Sequence, residues 1–298
     1  MVEISINHHL SQGVDELLVL DNGSNDGTTK VLSKLARNGR VRWTSEPGPF
    51  RSAEMYTELA QEAGRRGAHW VLPTGADEFW SARSGTIGAE LAQSSADVIE
   101  VAVVTFIQRR GQLTPEPSGI LTMTRRASPT IGPAGRAALL MSSGLVSYVE
   151  LDFPTRIIFR PSSEIELSPG AHRIMGADGT MDLTDRIQLL HAPLRARSML
   201  LSKAEKGLRI EAGGAPPGTS WHLRHWAAMA EDQLATREWL ANSYDESTGN
   251  LSVAGVDVET THDPTLQMIA TPWVTSAVTL DDTSSKQPRL GIDRVDAA

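Results

Sequence analysis

The sequence predicts an α/β fold, a mixed but mostly parallel sheet with helices on both faces. Three observations carry that expectation. Short apolar runs alternate with stretches of helical periodicity from the start of the chain to Ile107. Turn-forming and acidic residues follow two of those runs at once, at Asp21 and at Asp77. A length of 298 residues with 40% hydrophobic content is enough to bury one large core.

The elements follow in order. Val2, Ile6 and Leu10 recur at helical spacing, and Gly13 marks the helix end. Glu16–Leu20 reads as a strand stopped by the turn formers of Asp21–Thr28, with Asp26 placed to cap the next helix, which carries Val31, Leu32 and Leu35 and stops at Asn38-Gly39. Val41–Trp43 reads as a second strand and Ser52–Arg66 as a helix. His69–Leu72 reads as a third strand, ending at Pro73–Trp80. A short helix with Ile87 and Leu91 precedes a strand from Asp97 to Ile107.

Arg109–Met141, rich in Gly, Pro, Arg and Ser, reads as a flexible excursion near the acceptor end of a site. Strands are expected at Val146–Arg160 and Ile187–His191, and helices at Met199–Ala212 and Trp221–Tyr244. The expected organisation is one domain over 1–212, a helical extension over 213–275 and a disordered tail over 276–298.

Composition narrows the function. A net charge of −8 with dispersed Lys and Arg gives no electrostatic case for duplex nucleic acid. The absence of cysteine removes disulfides, thiolate metal sites and cysteine nucleophiles. The longest apolar run, Val98–Ile107, is far short of the roughly 18 residues of a membrane helix. No secretory leader is visible, so a soluble cytoplasmic protein is the expectation.

Three clusters could carry chemistry. In an α/β sheet, ligands bind beyond the carboxyl ends of the strands, where Asp21 and Asp77 are expected. Asp21-Asn22 with Ser24, Asp26, Gly27 and Thr28 fits either a polar turn with a helix cap or a contact to a base or ribose. Asp77-Glu78 sits against Phe79-Trp80, where two adjacent carboxylates are costly without a cation. A divalent ion would remove that cost; a turn cap and a solvated glutamate would also account for the pair. His191-Ala-Pro-Leu-Arg195, with Arg197, Lys203 and Lys206 behind it, offers an imidazole for a metal or phosphate, and Arg195 and Lys203 to neutralise a diphosphate. A core histidine and a solvated basic helix face is the plainer account. His8 and His9 should diverge as helix neighbours, and Trp221, His222, His225 and Trp226 read as helix packing.

Taken together the clusters resemble glycosyltransferase family 2, in particular its bacterial branch with a D-A-D-E-F-W motif. The resemblance rests on His8–Asp15, Val19–Thr28, Gly67–Leu72 leading to Ala76–Trp80, Gly170-Ala-His172, and Leu190–Arg195 with Lys203 and Gly207, over roughly residues 5–210. It implies a GT-A Rossmann-like fold, a nucleoside-diphosphate-sugar donor (UDP-type favoured) and Mn²⁺ or Mg²⁺. On that resemblance Asp21, with Asn22 and Asp26, falls at the nucleoside contact, and Asp77 at the last acid of the D-x-D motif, which binds metal and diphosphate. His191 falls near a further metal or diphosphate contact. The sequence departs from the family twice: Gly75 stands at the first acid of D-x-D, where Glu78 would have to compensate, and the sequence opens within the first helix rather than with the strand that precedes it.

The function expected is metal-assisted sugar transfer to a hydroxyl acceptor with inversion, which needs one general base. Glu78, Glu150, Asp152 and His172 are the candidates, and Asp77, Glu78 and His172 the expected catalytic set. Arg109–Met141 and Trp221–Tyr244 are expected to shape acceptor choice. The alternatives are a non-catalytic GT-A binding or assembly module and a nucleotidyltransferase.

Overall fold

The computed structural model describes residues 1–128, 136–176, 180–212 and 220–284. The fold is mixed α/β, with its strands in several small parallel and mixed sheets. Helix α1 (Val2–Ser11) leads to β1 (Leu17–Asp21), and α2 (Thr28–Leu35) returns the chain to β2 (Val41–Ser45). β1 and β2 pair in parallel with Leu17 opposite Val41, and Ile6, Leu32, Leu35 and Val41 close a small core beside them. α3 (Ser52–Arg65) buries Met55 and Ala60, as its apolar spacing requires.

The next strand departs from expectation. His69–Leu72 contributes one isolated bridge, Val71 to Phe159, and the strand is instead β3 (Glu78–Ala82). The cause is the burial of Phe79 and Trp80, both 0% exposed, on opposite faces. Phe79 packs with Ile4, Phe106 and Leu190, while Trp80 packs with Ile87, Ile99 and Leu189. Only an extended backbone sends neighbouring rings into two cores at once. His8 and His9 do not diverge; their ring centroids lie 5.3 Å apart. They clasp the backbone of Trp80: His8 Nε2 lies 2.7 Å from the Trp80 carbonyl, and the Trp80 N–H donates to His9 Nε2 at 3.2 Å. The helix thus completes the hydrogen bonding of a strand edge.

α4 (Ile87–Leu91) is capped by Thr86, whose hydroxyl accepts from the Ala89 N–H. The apolar run that follows divides at the exposed Ala102 into β4 (Val98–Val101) and β5 (Val103–Thr105), which join different sheets. Beyond β6 (Gln108–Arg109) the excursion is packed rather than loose: Ile120 and Met123 are fully buried, and β7 (Arg125–Ala127) follows them. Residues 129–135 of that stretch lie outside the described set. α5 (Arg136–Ser142) precedes a single 3₁₀ turn at Tyr148–Glu150, so Val146–Arg160 is a strand only in β8 (Arg156–Phe159). β9 (Met181–Leu183) pairs in parallel with β4, and β8 pairs antiparallel on the other side of β4. β10 (Ile187–His191) lies between β3, antiparallel, and β5, parallel.

α6 (Ser198–Ala212) packs against α7 (Trp221–Ala227) at a distance that Gly207 makes possible. A Cβ there would meet the Leu223 carbonyl and come within 2.9 Å of Ala227 Cβ. The single helix expected to reach Tyr244 is broken at Ala230 and resumes as α8 (Glu231–Gln233), a π-helical stretch and α9 (Trp239–Ala241). β11 (Ser243–Tyr244), β12 (Leu251–Val253), β13 (Val256–Val258) and β14 (Thr260–His262) follow. The described part after 220 carries strands as well as helices, β11 pairing with β6 and β14 with β7. α10 (Thr265–Ser284) carries helix past the expected start of the tail at 276, burying Leu266, Ala270 and Val274 against Ile4 and Phe79; residues 285–298 lie outside the described set. No described helix is long and apolar enough to cross a membrane.

Candidate functional site

A cavity of about 1090 Å³ opens where β1, β3, β10, α3 and α6 meet. The pairing of β3 with β10 builds its charged wall. Register sets His191 opposite Glu78, and the ladder extends one step further, the Ala192 N–H donating to the Asp77 carbonyl at 2.8 Å. Residues 110 or more apart in sequence are thereby fixed side by side. Asp77 Oδ2 lies 4.0 Å from Arg195 Nη1 and 4.0 Å from Lys203 Nζ. Lys206, nearly one helical turn beyond Lys203, also lines the cavity, with Nζ 4.3 Å from the centre of the Phe50 ring.

Desolvation opposes the charged form of Asp77, but Lys203, His191 and Arg195 outweigh it and hold the carboxyl below the usual range. Desolvation lowers Lys203, against the pull of Asp77, and lowers Lys206, with Lys203 adding to the effect. His191 is buried, and desolvation depresses its pKa despite Asp77 and Glu78, so the imidazole is neutral near pH 7. Its Nδ1 lies 3.4 Å from Thr105 Oγ1, and Phe153 packs edge-on against the ring at 5.2 Å.

Glu78 is engaged on both sides. Its carboxylate accepts from Arg156, which also donates to the Gly170 carbonyl, and from the Gly75 N–H at 2.7 Å. Arg156 was not among the residues the sequence singled out. No local pattern marks it, since its partnership with Glu78 depends on β8 and β3 lying across one cavity. Glu150 is likewise engaged, closing a capping box on the Ser147 N–H and hydroxyl.

His172 lines the cavity with Nδ1 at 2.9 Å from the Thr155 carbonyl, which fixes the proton on Nδ1 and leaves Nε2 with its lone pair. Burial first, then Arg156, lowers its pKa, so it is neutral at physiological pH. Asp152 lines the same cavity and is exposed.

The first cluster behaves differently. Asn22 reaches the cavity wall, but neither Asp21 nor Asp26 is among its lining residues. Asp21 accepts from the Ser24 N–H at 3.2 Å, and Asp26 from the Thr28 N–H and hydroxyl at 3.1 and 2.7 Å. The polar turn forms, but the expected cap does not: the N-cap of α2 is Gly27, with no side-chain cap bond, and Asp26 closes a local turn on Thr28 instead. Trp221 and His222, read from sequence as packing, line the cavity, while Trp226 is fully buried. Of the basic segment, Arg197 and Arg209 are exposed and stand apart from the cavity.

The divalent ion implied by the resemblance finds few donors. A Cβ at Gly75 would come within 3.0 Å of Asp77 Oδ1 and 3.4 Å of Glu78 Oε2, so there is little room for a second acid beside Asp77. Glu78 is held by Arg156, and Asp77 faces two cations. Among the described residues no group of three His, Cys, Asp or Glu is placed to hold a metal. With Glu78 paired and Asp77 facing cations, the residues present are a poor fit to Mn²⁺ or Mg²⁺, which would have to draw nearly all their oxygen ligands from substrate and water.

The fold is of the mixed α/β class. No family model matches the chain, and no curated protein matches it. Among solved structures the chain is similar to S. aureus TarS 1-349, at 12% identity over 80% of this chain and 68% of that one, with a TM-score of 0.33. A likeness that loose carries no argument about the site.

Proposed function

We propose that this chain moves a sugar from a nucleoside-diphosphate sugar, UDP-type favoured, to a hydroxyl acceptor with inversion at the anomeric carbon. The observation that carries the reading is one cavity lined by two complementary sets of groups. Arg195, Lys203 and Lys206 supply positive charge for a departing diphosphate, and His172 supplies a neutral imidazole with a free lone pair. The motif blocks of glycosyltransferase family 2 support it from the sequence side. In the single displacement, His172 Nε2 takes the acceptor hydroxyl proton as that oxygen attacks the anomeric carbon. The bond from this carbon to the phosphate oxygen breaks, and the pair of electrons leaves with the diphosphate. Glu78 and Glu150, engaged by Arg156 and Ser147, are poorer bases than His172. Trp221 offers an apolar face for a sugar ring.

The test is turnover of UDP-, GDP- and dTDP-sugars, read as free nucleoside diphosphate by chromatography, with and without added Mn²⁺. Release from one donor class, reduced by about 10²-fold or more in His172→Asn, is the expected result. The acid limb of the rate should lie below pH 6.5, because protonation removes the base and the His172 pKa is depressed. Loss in Asp152→Asn with His172→Asn unaffected would move the base to Asp152. A second reading, a non-catalytic binding module, is favoured by the internal engagement of Glu78 and Asp21. It predicts thermal stabilisation by a nucleotide without release from any donor.

A further inference from the structure

The cavity holds more positive charge than its own residues neutralise. Arg156 and Glu78 form a pair, which leaves the three cations Arg195, Lys203 and Lys206 against two carboxylates, Asp77 and the exposed Asp152. The cations are built in. α6 carries Lys203 and Lys206 into the cavity lining and is anchored by the buried Leu200, Ala204, Gly207 and Ile210. Arg195 is held by its own contact to the Ala192 carbonyl at 3.2 Å, and its carbonyl accepts from the buried Gln108 amide at 2.9 Å. Uncompensated cations in a partly dehydrated recess are costly unless an anion joins them. A divalent cation would add to the excess; a diphosphate would remove it. The donor side agrees, because Gly75 supplies no second acid and Glu78 is engaged by Arg156.

We propose that this cavity holds the diphosphate of its ligand without a divalent cation, Arg195, Lys203 and Lys206 together taking the place of the metal. The inference rests on the donor-site reading above and names how that site neutralises its leaving group. Asp77 then acts as a positioning residue: its carboxylate keeps Arg195 and Lys203 aimed at one point between them. When the sugar departs, the negative charge that develops on the diphosphate is met by three N–H-bearing cations already in place, with no ion to recruit.

The test is binding of UDP, GDP, dTDP and inorganic pyrophosphate to the full chain by isothermal titration, once with EDTA and once with Mn²⁺. Expected is a Kd in EDTA within about threefold of that in Mn²⁺ for the best nucleotide, with pyrophosphate competing. Lys206→Met, half-buried and outside the helix core, should weaken binding in EDTA by about tenfold or more, and Lys203→Met likewise. Unchanged melting temperatures without ligand show that both variants fold. If Lys203→Met does not fold, Lys206→Met and the salt dependence of the wild-type Kd still decide, since phosphate held by fixed cations loosens steeply as salt rises. Binding seen only with Mn²⁺ would overturn the inference while leaving the donor-site reading in place. Binding in EDTA that neither lysine variant weakens would overturn it too. No binding of any probe under either condition would overturn both.

Discussion

The two acidic clusters, both expected directly after a strand, ended unlike in the structure. Around Asp77 the backbone is held by other things: Phe79 and Trp80 sit in two cores, β10 pairs along β3, and two histidines of α1 clasp Trp80. The Asp77 carboxylate is therefore free to face Arg195 and Lys203. Around Asp21–Thr28 the carboxylates are taken up by the turn itself, on Ser24 and Thr28, beside the Asn22 amide's bonds to the Glu46 and Gly48 carbonyls. A charged side chain is available to a ligand only where its backbone is secured without it.

That contrast can be broken at either end. The largest effect is expected from Trp80→Ala, which empties a fully buried site behind the Asp77 wall and should cost about 3–5 kcal/mol in urea unfolding. A loss below about 1 kcal/mol would mean that the wall is not secured by its core. Next, Arg195→Met should lower turnover by about 10²–10³-fold while leaving the acid limb of the rate in place, as expected for a leaving-group contact rather than a base. A displaced acid limb would instead tie Arg195 to the base. Smaller per pH unit, and graded, is the response to acid. His9 is depressed to about 3 by burial and then by His8, so below pH 6.5 the unfolded chain takes up a proton that the folded chain refuses. Stability should fall by about 1.4 kcal/mol per pH unit from this group between those limits, and His9→Gln should flatten the slope. The smallest effect is that of Asp26→Ala, about 1 kcal/mol from the lost contacts to Thr28, read as a fall in Tm. An unaltered Tm would show that the turn is secured by something other than its acids.

Much of the local structure was legible. α1, β1, α2, α3, α4, β10 and α6 lie where periodicity and turn chemistry put them, because each is decided by residues a few positions apart. β3 was not, because Asp77-Glu78 after Pro73-Thr-Gly looks like a strand's end, and only the two separate cores reveal that Phe79-Trp80 is extended. The Gly- and Pro-rich stretch after Arg109 hid Ile120 and Met123, which are buried against α10 from the far end of the chain. In the site, Asp77, His191, Arg195 and Lys203 were recognisable one by one. Their meeting depends on a strand register spanning more than 100 residues, and Arg156 on another, which no short window contains. Lys206 was visible only as one more basic residue behind His191, and it gained a role once α6 showed which side faces the cavity.

Gly207 sets a rule for anyone who would move this site to another protein. Because its hydrogen stands where a methyl group would strike Leu223 and Ala227, the two helices share a surface with no tolerance for a changed partner. Lys203 and Lys206 ride on α6, and Trp221 rides on α7. A transplant of the lysines alone onto a foreign helix would lose their spacing from the aromatic wall. α6 and α7 are, in a designer's vocabulary, one interchangeable part.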